Sequence, residues 1–297
     1  MRSFLEMDDL TGDELIEVLD LASGPARPVM AGRGAALIFE KPSNRTRNST
    51  EMAVVQLGGH PITIRGDEIG LGVRESVEDV TRVLARYHAV VAARVFDHGL
   101  LESMARVGEV PIVNLLSDRA HPCQVLADLL TLRQRWGDLR GRSIAWVGDG
   151  NNVARSLTIG CAIAGVEVRL ACPPGHELDE ASLDGARALG GSVDAGRDPG
   201  AAVEGADAVY TDTWVSMGQE AESAQRLDAF AGYQVDAKLM ATAAPGAVFL
   251  HCLPAHRGQE VTAEVIDGPA SVVFDQAENR MHAARGLLMW MLSGDEA

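Results

Sequence analysis

Lysine is almost missing from this sequence: Lys41 and Lys238 are the only two among 297 residues. Nearly all positive charge therefore sits on guanidinium groups, and acids outnumber bases by 42 to 26, giving a formal net charge of -16. A field of that sign repels nucleic acid and anionic membrane surfaces, so neither is expected as a partner, and an anionic ligand has to be held by locally placed arginines. Cysteine is scarce as well. Cys123, Cys161, Cys172 and Cys252 form no CxxC pair and no framework spacing, which points to reduced thiols in a cytoplasm. His251, Cys252 and His256 lack a fourth zinc ligand at a convincing spacing, so no metal and no cofactor is expected. Long apolar runs are missing too. The longest, Leu287 to Leu292, falls far short of the roughly 20 residues that span a bilayer. The first ten residues are acidic where a secretory signal would be basic, so a cytoplasmic protein is expected.

What is present is an alternation of strands and helices. With 46% hydrophobic residues the chain can bury two ordinary cores. Thr11 followed by Glu14 is a capping-box signature, and Leu15, Ile16 and Leu19 continue it as a helical stripe. Short apolar runs then recur at 35–39, 89–93, 112–116, 143–147, 166–171, 208–210 and 247–250. Helical patterns stand between most of them, among them Ser76 to Tyr87 and Pro122 to Trp136. Such an order predicts right-handed βαβ units, hence an α/β fold of two doubly wound parallel-sheet domains with the active site in the cleft between them. The polar, glycine-bearing joint at 135–142 sets the expected division: 1–130 and 131–276, with a last helix in 277–297 packing back on the first domain.

In open parallel sheets ligands bind beyond the carboxyl ends of the strands. Six predicted strand ends carry reactive groups: Ser43-Asn44-Arg45-Thr46-Arg47, Arg94, His121-Pro122-Cys123-Gln124, Gly148-Asp149-Gly150-Asn151-Asn152, Asp212 with Ser216-Met217-Gly218, and His251-Cys252-Leu253-Pro254. Ser43 to Arg47 open a helix, whose free N–H groups and partial positive charge hold phosphate, helped by the Ser43 and Thr46 hydroxyls and the Arg45 fork. Taken alone this stretch also suits an ordinary helix cap. His121, at another helix start, is suited to stay neutral and donate to a carbonyl oxygen.

Phe39 to Arg47, then His121-Pro122-Cys123-Gln124, then Asp212 to Gly218, then His251-Cys252-Leu253-Pro254, in that order and spacing, resemble the ornithine carbamoyltransferase set over essentially the whole chain. The first two motifs resemble all carbamoyltransferases; the last two together are similar only to the ornithine branch. The resemblance implies transfer of a carbamoyl group from carbamoyl phosphate to the side-chain amine of ornithine, in arginine metabolism, by a homotrimer or a multiple of it. It also implies residue roles. Ser43, Asn44, Arg45 and Thr46 would hold the phosphate, and Arg94, His121, Gln124, Cys252, Leu253 and Arg280 the carbamoyl part. Asn152, Asp212, Ser216 and Met217 would hold ornithine, with Arg94, His121, Cys252 and Asp212 acting in catalysis and Ser216 to Gln219 closing over the amino acid.

Two positions depart from the family. Asn44 stands where a threonine is usual, and Gly70 where a glutamine commonly reaches carbamoyl phosphate in a neighbouring subunit. A rival reading, a nicotinamide-dependent dehydrogenase, starts from Gly148-x-Gly150 after a strand. It is weakened by Val153 at the third fingerprint position and by Ala171-Cys172-Pro173, which offers no acid to a ribose. A non-catalytic relative is disfavoured because every expected catalytic position holds a competent residue.

Overall fold

Nine parallel strands form two sheets among the described residues of the computed structural model, 2–215 and 220–293. The first sheet contains β1 (Gly34–Phe39), β2 (His60–Arg65), β3 (His88–Arg94) and β4 (Ile112–Leu116), in the order β2-β1-β3-β4. The second contains β5 (Ser143–Val147), β6 (Glu167–Ala171), β7 (Val193–Gly196), β8 (Ala208–Thr211) and β9 (Val248–His251), in the order β7-β6-β5-β8-β9. The chain divides into two compact units, Met1–Leu130 with Glu278–Ala297, and Thr131–Ala277. Each sheet is doubly wound. In the first the strand order reverses between β1 and β3, in the second between β5 and β8, and such reversals open a crevice at the carboxyl ends.

Local sequence explains the elements. Thr11 caps the helix Gly12–Ser23 by a reciprocal box with Glu14, and Ser76 caps Val77–Ala85, whose Val77, Val80 and Leu84 are buried. The helix Pro122–Trp136 buries Val125, Leu126, Leu129 and Leu132 completely, each worth roughly 1.5 to 3 kcal/mol of removal from water. Ahead of the first helix, Phe4 pairs with Val113 and so extends the first sheet past β4. The last helix, Val273–Leu292, puts Arg285 in the first unit, where its guanidinium donates to the carbonyls of Ala22 and Gly24 at 2.8 Å each and caps the end of Gly12–Ser23.

Two strands escape the sequence pattern, β2 and β7. Both are sheet edges: β2 alternates half-buried and exposed residues around Pro61, and β7 is Val-Asp-Ala-Gly with one apolar side chain of any size. The helix Arg45–Gln56 also differs from a simple apolar stripe. Its buried face is Thr46, Thr50, Ala53 and Val54, while Met52 and Val55 are about half exposed. Among the described residues no helix is long and apolar enough to cross a membrane.

Candidate active site

In the first unit, guanidinium groups collect at the β1/β3 reversal. Arg94 ends β3, paired in register with Phe39 at the end of β1, and the chain turns from Phe39 into the helix Arg45–Gln56. Asn44 stands at the N-cap but its side chain makes no cap; Asn48 donates to it instead, at 3.0 Å. The first-turn N–H groups of this helix are thus not taken by the cap residue, as an anion site requires. Ser43 and Arg45 are half-buried beside it. Thr46 is buried, and its hydroxyl oxygen accepts from Arg94 Nη1 at 3.4 Å and from Arg280 Nη2 at 3.1 Å. Arg280 Nη1 donates to the Gln124 amide oxygen.

His121 lies immediately before the helix Pro122–Trp136. Burial first, then the charges of Arg280 and Arg94, hold its pKa well below 6.5, so the imidazole is neutral and able to donate one hydrogen bond. The sign of its effect on stability follows. Above pH 6.5 it is neutral folded or unfolded; as pH falls below 6.5 the unfolded chain takes a proton that the native site refuses, and stability is lost. In His121→Asn the fall in unfolding free energy between pH 6.5 and pH 5.5, measured in urea, is expected to be smaller by about 1 kcal/mol. Cys123, donating to the Asn114 carbonyl at 3.3 Å, is pushed up to about 12 by burial and is an inert thiol.

The second unit gathers carboxylates at the β5/β8 reversal. Trp146, its ring tilted against that of Tyr210 with centroids 4.9 Å apart, donates from its indole nitrogen to the Asp149 carbonyl and fixes the turn after β5. Asn151 then works at both ends: its oxygen caps the helix Asn152–Ala164, accepting from Val153 and Ala154, and its nitrogen donates to Asp212 at 2.9 Å. Asp212 also accepts from the Thr213 N–H and from the Cys252 thiol, each at 2.8 Å. Cys252 is the one cysteine that is not fully buried. A second acid, Asp149, takes the Arg226 guanidinium, which also donates to the Trp214 carbonyl at 2.6 Å. Burial pushes the Asp149 carboxyl up, Arg226 and His176 pull it down, and the Asp212 charge adds to the rise.

Behind Cys252 stands a fully buried pair. His251 Nε2 lies 3.1 Å from a Glu260 oxygen and Nδ1 accepts the Leu253 N–H at 2.8 Å, which sets the tautomer: proton on Nε2, lone pair on Nδ1. Leu253 has a φ of 58°, a left-handed conformation that costs a side-chain-bearing residue about 1 to 2 kcal/mol, and the bond its N–H donates to His251 holds it there. Glu260 also accepts the His256 N–H. Glu260→Ala orphans the buried His251 Nε2–H at about 1 to 3 kcal/mol and removes the acceptor of the more exposed His256 N–H, so a loss of about 2 kcal/mol is expected in urea unfolding. Asp212, His251 and Cys252 bring metal-ligating atoms within 4.8 Å of one another, yet both His251 nitrogens are already engaged.

The candidates thus fall into two groups: Thr46, Arg94, His121, Gln124 and Arg280 in one unit, Asp212, Cys252 and Leu253 in the other. Asn152 follows the cap, whereas the residue bonded to Asp212 is Asn151, which an N-cap reading of that turn could have found. Ser216, Met217 and the rest of 216–219 lie outside the described residues. The separation of Arg226 from Asp149 by 77 residues, and of Glu260 from His251 by 9, left no local signal for either pair. Gly150 also acquires a reason. A Cβ there would meet the Leu178 nitrogen at 2.4 Å and the Glu177 carbon at 2.6 Å, so the place a dinucleotide's pyrophosphate takes against such a glycine is filled by this chain's own backbone.

Family profiles match in two parts: the aspartate/ornithine carbamoyltransferase carbamoyl-P binding domain over residues 2–134, and the Asp/Orn binding domain over 140–291. The chain belongs to the aspartate/ornithine carbamoyltransferase family. Within that family it is 47% identical to the ornithine carbamoyltransferase of Methanoculleus marisnigri, covering 98% of this chain and 94% of that one. It is 49% identical to that of Acidothermus cellulolyticus, covering 98% and 97%. The structure of ornithine carbamoyltransferase from Pyrococcus furiosus superposes with a TM-score of 0.95 at 43% identity, covering 99% of this chain and 98% of that chain. That from Thermus thermophilus gives 0.90 at 44%, covering 98% and 99%. Gly70, the position at which the resemblance led to an expected glutamine, holds a φ of 62°, and a Cβ would meet Arg74 Cβ at 2.9 Å, so a side chain there strains this backbone.

Proposed function

We propose that this chain is an ornithine carbamoyltransferase, moving the carbamoyl group of carbamoyl phosphate to the δ-amine of ornithine to give citrulline and phosphate. One observation carries the choice of acceptor. Asp212 is bonded by an amide, a backbone N–H and a thiol, while the buried guanidinium nearby is committed to Asp149. A carboxylate so arranged suits a cationic amino acid and repels aspartate.

The steps follow from the two groups. Helix N–H groups with Ser43, Asn44, Arg45 and Thr46 hold the phosphate; Arg94, His121, Gln124 and Arg280 hold the carbamoyl oxygen and nitrogen. Cys252 and the Leu253 backbone complete that grip, and Asn152, Asp212, Ser216 and Met217 hold ornithine, a set to which Asn151 is added through its bond to Asp212. The uncharged amine attacks the carbamoyl carbon, a tetrahedral oxyanion forms, and it collapses as the C–O bond to phosphate breaks and the departing phosphate takes one amine proton. Arg94 and neutral His121 meet the oxyanion as fixed donors, so no reorganisation is needed when charge develops. No step calls for a metal or a cofactor.

The working form is a homotrimer or a multiple of it, in the arginine metabolism of a cytoplasm. Four cysteines outside any disulfide support a reducing compartment, and the half-exposed Met52, Val55 and Ile62 of the first unit support a contact between copies. The test of the activity is citrulline-type product formed from ornithine, putrescine, aspartate and acetylornithine in parallel. Turnover with ornithine alone is expected; preference for aspartate or putrescine overturns the reading.

A further inference from the structure

Asp128 is a carboxylate with no exposed surface, set one helical turn beyond Gln124 and flanked by the fully buried Val125, Leu126, Ala127, Leu129 and Leu130. Such a group is unfavourable in an apolar setting unless it is hydrogen-bonded. Gln124 Nε2 donates to it at 2.8 Å, and the oxygen of the same amide accepts from Arg280, whose other nitrogen donates to Thr46. The amide therefore lies between an acceptor-only group and a donor-only group. Of its two orientations one makes both bonds; the flipped one sets oxygen against carboxylate and N–H against guanidinium.

We propose that Asp128 is a positioning residue for carbamoyl phosphate: it locks the Gln124 amide with its oxygen toward Arg280, and through that bond sets the guanidinium beside Thr46. The inference rests on the reading of Gln124 and Arg280 as carbamoyl ligands. An asparagine at 128 can donate to the amide oxygen as well as accept from its nitrogen, so only the Arg280 contact still opposes the flipped amide and the lock is weakened. The phosphate, held by the turn at 43–46, depends on it far less.

In the full-length enzyme, Asp128→Asn is expected to raise KM for carbamoyl phosphate roughly fivefold to tenfold, the difference between a charged and a neutral hydrogen bond. Inhibition by inorganic phosphate and KM for ornithine are expected to move by less than about threefold. A second variant separates this role from a merely structural one. In Gln124→Glu, two carboxylates face each other; adding Asp128→Asn supplies a donor to the introduced carboxylate and leaves its other oxygen for Arg280. The substitution that is harmful alone is then expected to lower KM for carbamoyl phosphate and raise Tm. Equal weakening of carbamoyl phosphate and phosphate, no change in either, or harm in the Gln124→Glu background as well would each overturn the proposal. Wild-type protein that makes no citrulline would instead overturn the assigned activity, so the two failures are distinguishable.

Discussion

Arg94→Ala lowers turnover by about a hundredfold to a thousandfold, the size of effect seen when one preorganised oxyanion donor is removed. Arg94 ends a central strand and is buried, with its side chain against the Thr46 hydroxyl. Stability should behave oppositely. Arg94 and Arg280 both hold His121 below its ordinary pKa, so the site concentrates like charge, and removing one guanidinium relieves repulsion. The expected result is a nearly inactive enzyme that melts no lower than the parent, with the His121 pKa moved back toward 6.5. Steady-state kinetics with thermal melts and histidine NMR read all three, and near-normal turnover would remove Arg94 from the reaction.

Asp212→Asn is expected to be as severe but on the other substrate. Loss of one partner of a desolvated charge pair costs about 3 to 5 kcal/mol, which is roughly two to four powers of ten in kcat/KM for ornithine. KM for carbamoyl phosphate should stay within about threefold, because the groups proposed to hold its phosphate all belong to the other unit. The change also takes a negative charge away from Asp149, whose carboxyl Asp212 helps to push up. Asp149 should therefore ionise at lower pH in the variant. A variant that loses both substrates equally would mean that Asp212 supports the fold rather than the amine.

The sheets were legible where strands are buried, because such a strand writes an unbroken apolar run, as in Ala35 to Phe39 at the middle of its sheet or Ala247 to Leu250 at an edge. β2 and β7 were not, since these two edge strands, unlike the buried edges β4 and β9, share their faces with solvent and tolerate Pro61 or Gly196. The same contrast holds for the candidate site. Thr46, Arg94, His121 and Cys252 sit at strand ends or helix starts, positions that can be counted along the chain. Arg226 and Glu260 reach Asp149 and His251 from elements of their own, and only folding brings them within reach, whereas Asp128 stands one helical turn from Gln124 at a spacing that can be counted. Asn151 lies between these cases: its capping geometry was readable, but the bond to Asp212 needed β8 beside β5.

Both lone pairs of the Thr46 oxygen are occupied, one by Arg94 and one by Arg280. Its single proton is then left facing away from both guanidinium groups, and the hydroxyl behaves as a one-way valve for hydrogen bonding: it can give to an arriving oxygen but has nothing left with which to receive. A ligand presenting an N–H at that point finds no counterpart, so in the proposed site discrimination between phosphate-like and amine-like groups begins at a side chain with no charge of its own.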